Sequence, residues 1–264
     1  QVESVLMRYR RNGRVARSSV CVSTQAGCAM RCTFCATGRM GLLRNLSAGE
    51  IVAQALLFSR VLGESGDRVT HVTFMGMGEP LANYVHAVQA VRILTHPRAF
   101  ALGQRSVTVS TVGLVGAIDR LAGEGLQINL AISLHTVDDD LRRRLVPTAP
   151  RGSVTALIDA ARRYRAKTGR RVTFEYALIE GVNDSPAQAR ALAKALRRTD
   201  AHVNLIPLNP TAGEFRRPPR AAISSFRAAL EEAGINATVR SQKGSEISAA
   251  CGQLRTTAKL PAGR

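Results

Sequence analysis

The chain has 264 residues, 45% of them hydrophobic, and carries a formal net charge of +18 from 37 Lys+Arg against 19 Asp+Glu. That is enough apolar material for one core of α/β-barrel size, and no run of about 18 apolar residues is present to span a membrane. The charge excess favours a polyanionic partner, best matched by nucleic acid, while 4% aromatics and no tryptophan offer no evident stacking platform.

The start, QVESVLMRYRRNGR, is charged and has no apolar segment of the signal-peptide kind. Five cysteines form no secreted-type framework, so reduced thiols and a cytoplasmic location are expected. Residues 1–17 read as an irregular basic segment, dense in arginine at Arg8, Arg10, Arg11 and Arg14. A first strand is expected over 18–24 and a cysteine triplet follows it. Ser47-Ala48-Gly49-Glu50 is a capping box that opens a helix ahead of Ile51, Val52, Ala55 and Leu56. Strands at 69–75, 106–112, 128–134, 171–178 and 202–207 then alternate with helices at 84–95, 114–123, 153–167, 185–197 and 219–233. Arg142-Arg143-Arg144 lies on a short helix and reads as a basic cluster or a solvated face; Arg216-Arg217 and Arg220 lie in loop-like sequence. Apolar strands each followed by a helix imply a parallel sheet covered on both faces. Six such units suit an incomplete (β/α)6 barrel, a partial TIM barrel, better than a closed eight-unit one.

Ligands in such folds gather at the carboxyl ends of the strands, and the unusual residues of this chain fall there. Cys28, Cys32 and Cys35 have the spacing C-x3-C-x2-C, with no fourth cysteine nearby. A cubane iron–sulfur cluster has four irons and draws its ligands from thiolates. Three protein ligands therefore leave one iron open to a substrate or cofactor. A structural zinc site is the alternative; it usually takes four Cys or His ligands, and no histidine lies near the triplet. Gly76-Met77-Gly78-Glu79-Pro80 follows the second strand, Ser110-Thr111 ends the third, Ser133-Leu134-His135 the fourth, and Asn209-Pro210 follows the sixth. A glycine-rich turn permits close backbone approach, and beside a three-cysteine triplet it becomes a specific signal.

The triplet and the glycine-rich turn together resemble the radical S-adenosylmethionine (SAM) superfamily. The blocks CVSTQAGCAMRCTFCATG, RNLSAGEIVAQ, FMGMGEPLAN, VSTVGLV, AISLH, EYALIEGVNDS, HVNLIPLNP and AACGQL resemble, in order, the RlmN/Cfr family within it. The resemblance implies one [4Fe-4S] cluster on Cys28, Cys32 and Cys35, and two SAM molecules per turnover. It implies that Gly78 and Glu79 contact the cofactor's methionine part. Ser110, Ser133, Leu134, His135 and Asn209 match family positions lining the same pocket. It further implies that Cys251 receives a methyl group and carries it to an adenine, forming a thioether with RNA. Cys21 then attacks the Cys251 sulfur to release the product as a disulfide forms. Glu3, in Val2-Glu3-Ser4-Val5, matches the glutamate that removes the ring proton.

The implied partners are 23S rRNA, with tRNA as a second candidate, and a one-electron reductant, for a monomer with no membrane contact. RlmN-type methylation acts at C2 of adenosine 2503 and of tRNA adenosine 37; the alternative, Cfr-type, acts at C8. The blocks Glu175–Ile179 and His202–Pro210 favour the first, Arg240–Gly244 the second, and the balance falls to RlmN. A non-catalytic iron–sulfur RNA-binding protein is a further alternative, opposed by intact Cys21, Cys251 and Glu3. Three parts are expected: residues 1–17 leading into the barrel in place of the family's N-terminal accessory domain, a core over 18–240, and a segment over 241–264 carrying Cys251. The connection from Arg8 to Ser19 is longer and more basic than the family's usual one.

Overall fold

The structure is a computed structural model describing residues 1–12, 14–148, 152–209, 211, 213–240 and 247–255. Its main sheet has eight strands. In chain order the strands are β1 (Val5–Arg11), β2 (Arg14–Cys21), β3 (Gln25–Gly27), β4 (Leu42–Asn45), β5 (His71–Phe74), β6 (Val107–Thr111), β7 (Asn129–Ser133), β8 (Val172–Leu178), β9 (His202–Pro207) and β10 (Asn236–Val239). The helices are α1 (Ala36–Met40), α2 (Ala48–Gly63), α3 (Tyr84–Thr95), α4 (Val115–Ala122), α5 (Asp139–Leu145), α6 (Val154–Thr168), α7 (Pro186–Leu196) and α8 (Arg220–Glu232).

The main sheet runs β1-β2-β5-β6-β7-β8-β9-β10, and β3 and β4 form a separate pair. Within the main sheet every neighbouring pair from β2 to β10 is parallel and β1 pairs β2 antiparallel; the separate β3–β4 pair is antiparallel too. The first and last strands do not pair, so the sheet stays open as a partial barrel, as expected for an incomplete TIM-type fold. The strands β2, β5, β6, β7, β8 and β9 are the six read from sequence. Their inward positions are fully buried: Val20, Val72, Val107, Leu130, Phe174, Val203 and Leu205 all lie in one core. The capping box also forms, with Ser47 and Glu50 exchanging hydrogen bonds at the start of α2.

Two edges escaped the sequence reading. Residues 1–17, expected to be irregular, instead supply β1 and the first half of β2, and the expected boundary at 17/18 falls inside β2. The reason is an edge strand solvated on one face: Arg8 and Arg10 alternate with partly buried Met7 and Tyr9, which dilutes the apolar signal. Asn12-Gly13 is a hairpin turn signature, and Asn12 has the left-handed φ of 51° such turns demand. This hairpin accounts for the long connection between Arg8 and Ser19. The other edge, β10, is only four residues, Asn-Ala-Thr-Val, in which polar and apolar residues alternate.

The glycine-rich turn after β5 is explained by packing. A Cβ on Gly76 would lie 2.7 Å from Val22 O, and one on Gly78 would lie 2.6 Å from Gln25 Cβ. Gly78 also has φ +100°, which side-chain-bearing residues rarely adopt. The turn is thus pressed against residues 22–25, where Gln25 Oε1 accepts from Glu79 N–H at 2.8 Å. Gly78→Ala combines a forbidden φ with overpacking and is expected to lower stability by about 2–4 kcal/mol, measured as a fall in the urea midpoint.

Candidate active site

The cysteine triplet sits on the loop between β3 and α1. Cys28 N–H donates to Gly41 O at 2.8 Å, Cys35 N–H donates to Cys32 O at 3.1 Å, and Thr33 N–H reaches Leu145 O at 3.0 Å. Arg31 takes φ +52° to complete the loop. The three cysteines line one cavity at the carboxyl end of the sheet. Burial pushes the Cys28 thiol up to about 12 and the Cys32 thiol well above its ordinary value. Such thiols ionise readily only when a metal replaces their proton.

The other walls bring together most of the residues singled out from sequence. Gly78, Glu79, Ser110, Ser133, His135, Asn209 and Cys251 all line this cavity. Leu134 does not: it is fully buried in the main core, and its N–H donates to Glu175 O. Glu79 is buried, and both of its oxygens are occupied, by Leu81 N–H at 3.0 Å and Val112 N–H at 2.8 Å. Burial pushes its carboxyl up to about 7. Its carboxylate thus ties the glycine-rich turn to the end of β6. Ser110 Oγ donates to Phe74 O at 2.7 Å, an ordinary strand-end bond.

His135 has φ +64°. Its Nδ1 accepts from Ala177 N–H at 3.0 Å, so the neutral ring carries its proton on Nε2. Burial, helped by Arg142, pushes its pKa down to about 3. The ring therefore offers a donor, which makes it a poor metal ligand. Among the described residues, no three His, Cys, Asp or Glu side chains converge as they would on a single ion. A structural zinc site, which draws four ligands onto one ion, has no support in that geometry. Three thiols lining one cavity fit a cluster, which spreads its ligands over separate irons.

Cys251 arrives from the far end of the chain. Residues 249–253 form a turn in which Gly252 has φ +83°. Ala250 N–H donates to Gln253 Oε1 at 3.1 Å, and Gln253 N–H returns to Ala250 O at 3.0 Å. The turn docks on the cysteine loop through Ala36 N–H to Gly252 O at 2.8 Å and Thr37 Oγ1 to Leu254 O at 2.5 Å. Asn209 Nδ2 donates to Cys251 O at 2.8 Å. Burial raises the Cys251 thiol, opposed by the nearby Arg240 guanidinium. Cys21, at the end of β2, is pushed up to about 12 by burial and next by the neighbouring Cys251. Both cysteines line a second, smaller cavity. All five cysteines are free thiols.

Glu3 lines neither cavity. Its Oε2 accepts from Arg255 N–H at 2.7 Å, and its carbonyl accepts from Ser23 Oγ at 2.5 Å. It therefore stands at the rim, beside Leu254 and Val5, which do line the second cavity. Of the stretch Arg240–Gly244, only Arg240 lies within the described residues, and Pro210 lies outside them.

Several residues of the site were not singled out by sequence. Arg142 is not a solvated-face arginine. It is buried and donates to Val112 O and to Ser133 O, joining the ends of β6 and β7. Arg143 and Arg144 stay exposed. Glu175 is buried on the cofactor-side wall and accepts from Asn204 Nδ2 at 2.8 Å. Asn183 is fully buried and makes three side-chain bonds of 2.7 Å: to His135 O, to Ala177 O and from Ile179 N–H. Glu175 and Asn183 both stood inside the quoted block EYALIEGVNDS, but a buried role cannot be told from a surface turn without the fold.

Comparisons with known proteins follow the same lines. The pattern of the radical SAM superfamily matches residues 22–193. The chain is 56% identical over 257 residues to the ribosomal RNA large subunit methyltransferase N of Nitrosopumilus maritimus, covering 97% of this chain and 73% of that protein. It is 52% identical to the probable dual-specificity RNA methyltransferase RlmN of Symbiobacterium thermophilum, covering 98% of this chain and 69% of that one. Among solved structures, a radical SAM methyltransferase from Sphaerobacter thermophilus superposes with a TM-score of 0.92 at 54% identity, over 96% of this chain and 73% of that chain.

Asn183→Ala would orphan three buried backbone groups around His135. At about 1 kcal/mol or more for each, a loss of at least about 3 kcal/mol is expected in denaturant unfolding.

Proposed function

This chain belongs to the radical SAM superfamily and, within it, to the RlmN RNA methyltransferases, and on that premise we propose that it methylates C2 of adenosine 2503 in 23S rRNA. Adenosine 37 of tRNA is the proposed second substrate, in keeping with the dual-specificity naming of several relatives. The observation that carries this reading is Cys251 docked on the cysteine loop with Cys21 beside it. A chain that only bound RNA or carried electrons would need neither thiol.

Membership of the superfamily brings a [4Fe-4S] cluster and SAM. Cys28, Cys32 and Cys35 would hold the cluster, and the cavity walls at Gly78, Ser110, Ser133 and Asn209 would hold the cofactor. When bound, the two supply a methyl group in one turn and a hydrogen-abstracting radical in the next, which is the proposed use of two SAM molecules per turnover. C2 of adenine is electrophilic and does not attack a methyl donor, so the methyl carbon is carried to it by the protein.

In this reading the Cys251 sulfur accepts the methyl group and holds it as a thioether. Arg240, close to the Cys251 sulfur, offsets part of the cost of forming its thiolate in a buried place. After carbon–carbon bonding to the base, Cys21 attacks the Cys251 sulfur, and a disulfide forms as the methylated RNA leaves. Cys21 is too buried to ionise alone, so its attack depends on a base or on the Arg240 charge. Glu3 is the proposed acceptor of the ring proton. Its carboxylate is held by Arg255 N–H one residue from the cavity wall at Leu254, so it acts from the rim. The RNA partner and a separate one-electron reductant belong to the same proposal, as does the cytoplasmic setting in which both are found.

Mass spectrometry of digested rRNA, after reaction with reconstituted and reduced protein, should show 2-methyladenosine. The appearance of 8-methyladenosine would move the assignment to Cfr-type chemistry, and no modified base would leave a non-catalytic RNA-binding protein. Cys251→Ala should abolish methylation while 5′-deoxyadenosine is still released. Cys21→Ala should accumulate a covalent protein–RNA adduct visible on a denaturing gel; free turnover by that variant would refute the disulfide step.

A further inference from the structure

Under the function proposed above, on which this inference rests, RNA has to reach Cys251 and Cys21, and the surface beside them belongs to the β1–β2 hairpin. Val5, Met7 and Tyr9 of β1 and Cys21 of β2 line the second cavity, so one face of the hairpin is turned to the reacting thiols. Residues two apart share a face of a strand, which puts Arg11 on that face beyond Tyr9. The hairpin has a bulge here, but its extra residue, Ala16, is on β2, so the alternation along β1 runs unbroken. Arg17 joins the same face: it pairs with Tyr9 across the hairpin, and its guanidinium carbon lies 5.5 Å from the Tyr9 ring centroid. The face thus runs from Cys21 and Val5 at the base to two exposed arginines toward the tip.

The hairpin is fixed at its base. Arg8, on the opposite face, pairs with Asp67 and reaches Ser65 Oγ at 3.3 Å. Ser18 N–H donates to Thr70 Oγ1 at 3.0 Å, and Thr70 Oγ1 donates to Ser18 O at 2.9 Å. Arg8 is therefore neutralised, whereas among the described residues Arg11 and Arg17 have no carboxylate partner. An edge strand carries charge to discourage pairing with another chain, and either face serves that end. Leaving two cations unneutralised on the face beside the site is what a polyanion requires.

We propose that the β1–β2 hairpin is a clamp on the RNA backbone, in which Arg11 and Arg17 bind phosphates flanking the target nucleotide. At about 3.3 Å per residue, Arg17 stands about 13 Å and Arg11 about 20 Å from Cys21 along the hairpin. That is too far for the target nucleotide itself and suits phosphates a few nucleotides away. The guanidinium fork matches two phosphate oxygens at once. A phosphate contact positions the RNA and carries no sequence information, so the same clamp serves an rRNA loop and a tRNA loop alike.

The test measures binding by fluorescence anisotropy over a salt series, with cluster-reconstituted protein and SAM but no reductant, so the readout does not depend on turnover. The probes are an rRNA stem-loop around adenosine 2503 and a tRNA anticodon stem-loop. Arg11→Gln/Arg17→Gln should bind both about 10- to 50-fold more weakly at low salt and flatten the slope of log affinity against log salt by about 1.4 to 1.8. Arg11→Gln alone, which leaves the Arg17–Tyr9 contact in place, should flatten it by about 0.7 to 0.9. Arg11→Lys/Arg17→Lys should recover the wild-type slope, because the charge returns. A charge-matched control, Arg190→Gln/Arg197→Gln at exposed positions in and just after α7, should stay within about 2-fold of wild type. An unchanged slope in a double variant with a wild-type urea midpoint would overturn the clamp, as would an equal loss in the control or a loss confined to one of the two RNAs. In each of those cases a wild type that methylates its RNA leaves the function standing. A wild type that methylates no RNA when reconstituted and reduced removes the function and this inference with it.

Discussion

The hydrogen bond from Ala36 N–H to Gly252 O, reinforced by Thr37 Oγ1 to Leu254 O across 217 residues of sequence, is the contact on which the chemistry depends. It clips the turn carrying Cys251 to the loop carrying the cysteine triplet. The first bond joins backbone groups, at the start of α1 and in the Cys251 turn, and the second adds the Thr37 side chain; Gly252, with φ of +83°, closes the turn. Without the clip, Cys251 would be a lone cysteine near the end of a chain. With it, the Cys251 thiol stands at the wall of the cavity that Cys28, Cys32 and Cys35 also line.

A second constraint holds the opposite wall. Glu79, Arg142, His135 and Asn183 are buried polar groups, and each is spent on backbone atoms at strand ends. Strand ends in a parallel sheet leave peptide groups without ladder partners, and buried peptide groups must be paired. These side chains pair them and so stiffen the carboxyl rim of β6, β7 and β8. A rim of this kind lets small groups such as Ser110, Ser133 and Asn209 face a cavity without collapse around it.

Burial dominates the electrostatics of the thiols. Cys21, Cys28, Cys32 and Cys251 are all raised by desolvation, and Arg240 is the cation that opposes it for Cys21 and Cys251. A resting site of protonated thiols is chemically quiet.

Sequence alone determined the (β/α)6 plan, because fully buried parallel strands must be continuous apolar runs and their helices carry caps such as Ser47–Glu50. It also grouped Cys28, Cys32 and Cys35, since spacing on one short loop is a local property. The hairpin of β1 and β2 was hidden because an edge strand dilutes its apolar face with arginine. The close approach of the glycine-rich turn to Gln25, the removal of Leu134 to the core and the burial of Arg142 were decided only by tertiary structure. So was the meeting of Cys21 with Cys251, because pairings between distant parts of a chain depend on how the sheet curls and not on any pattern a linear segment carries.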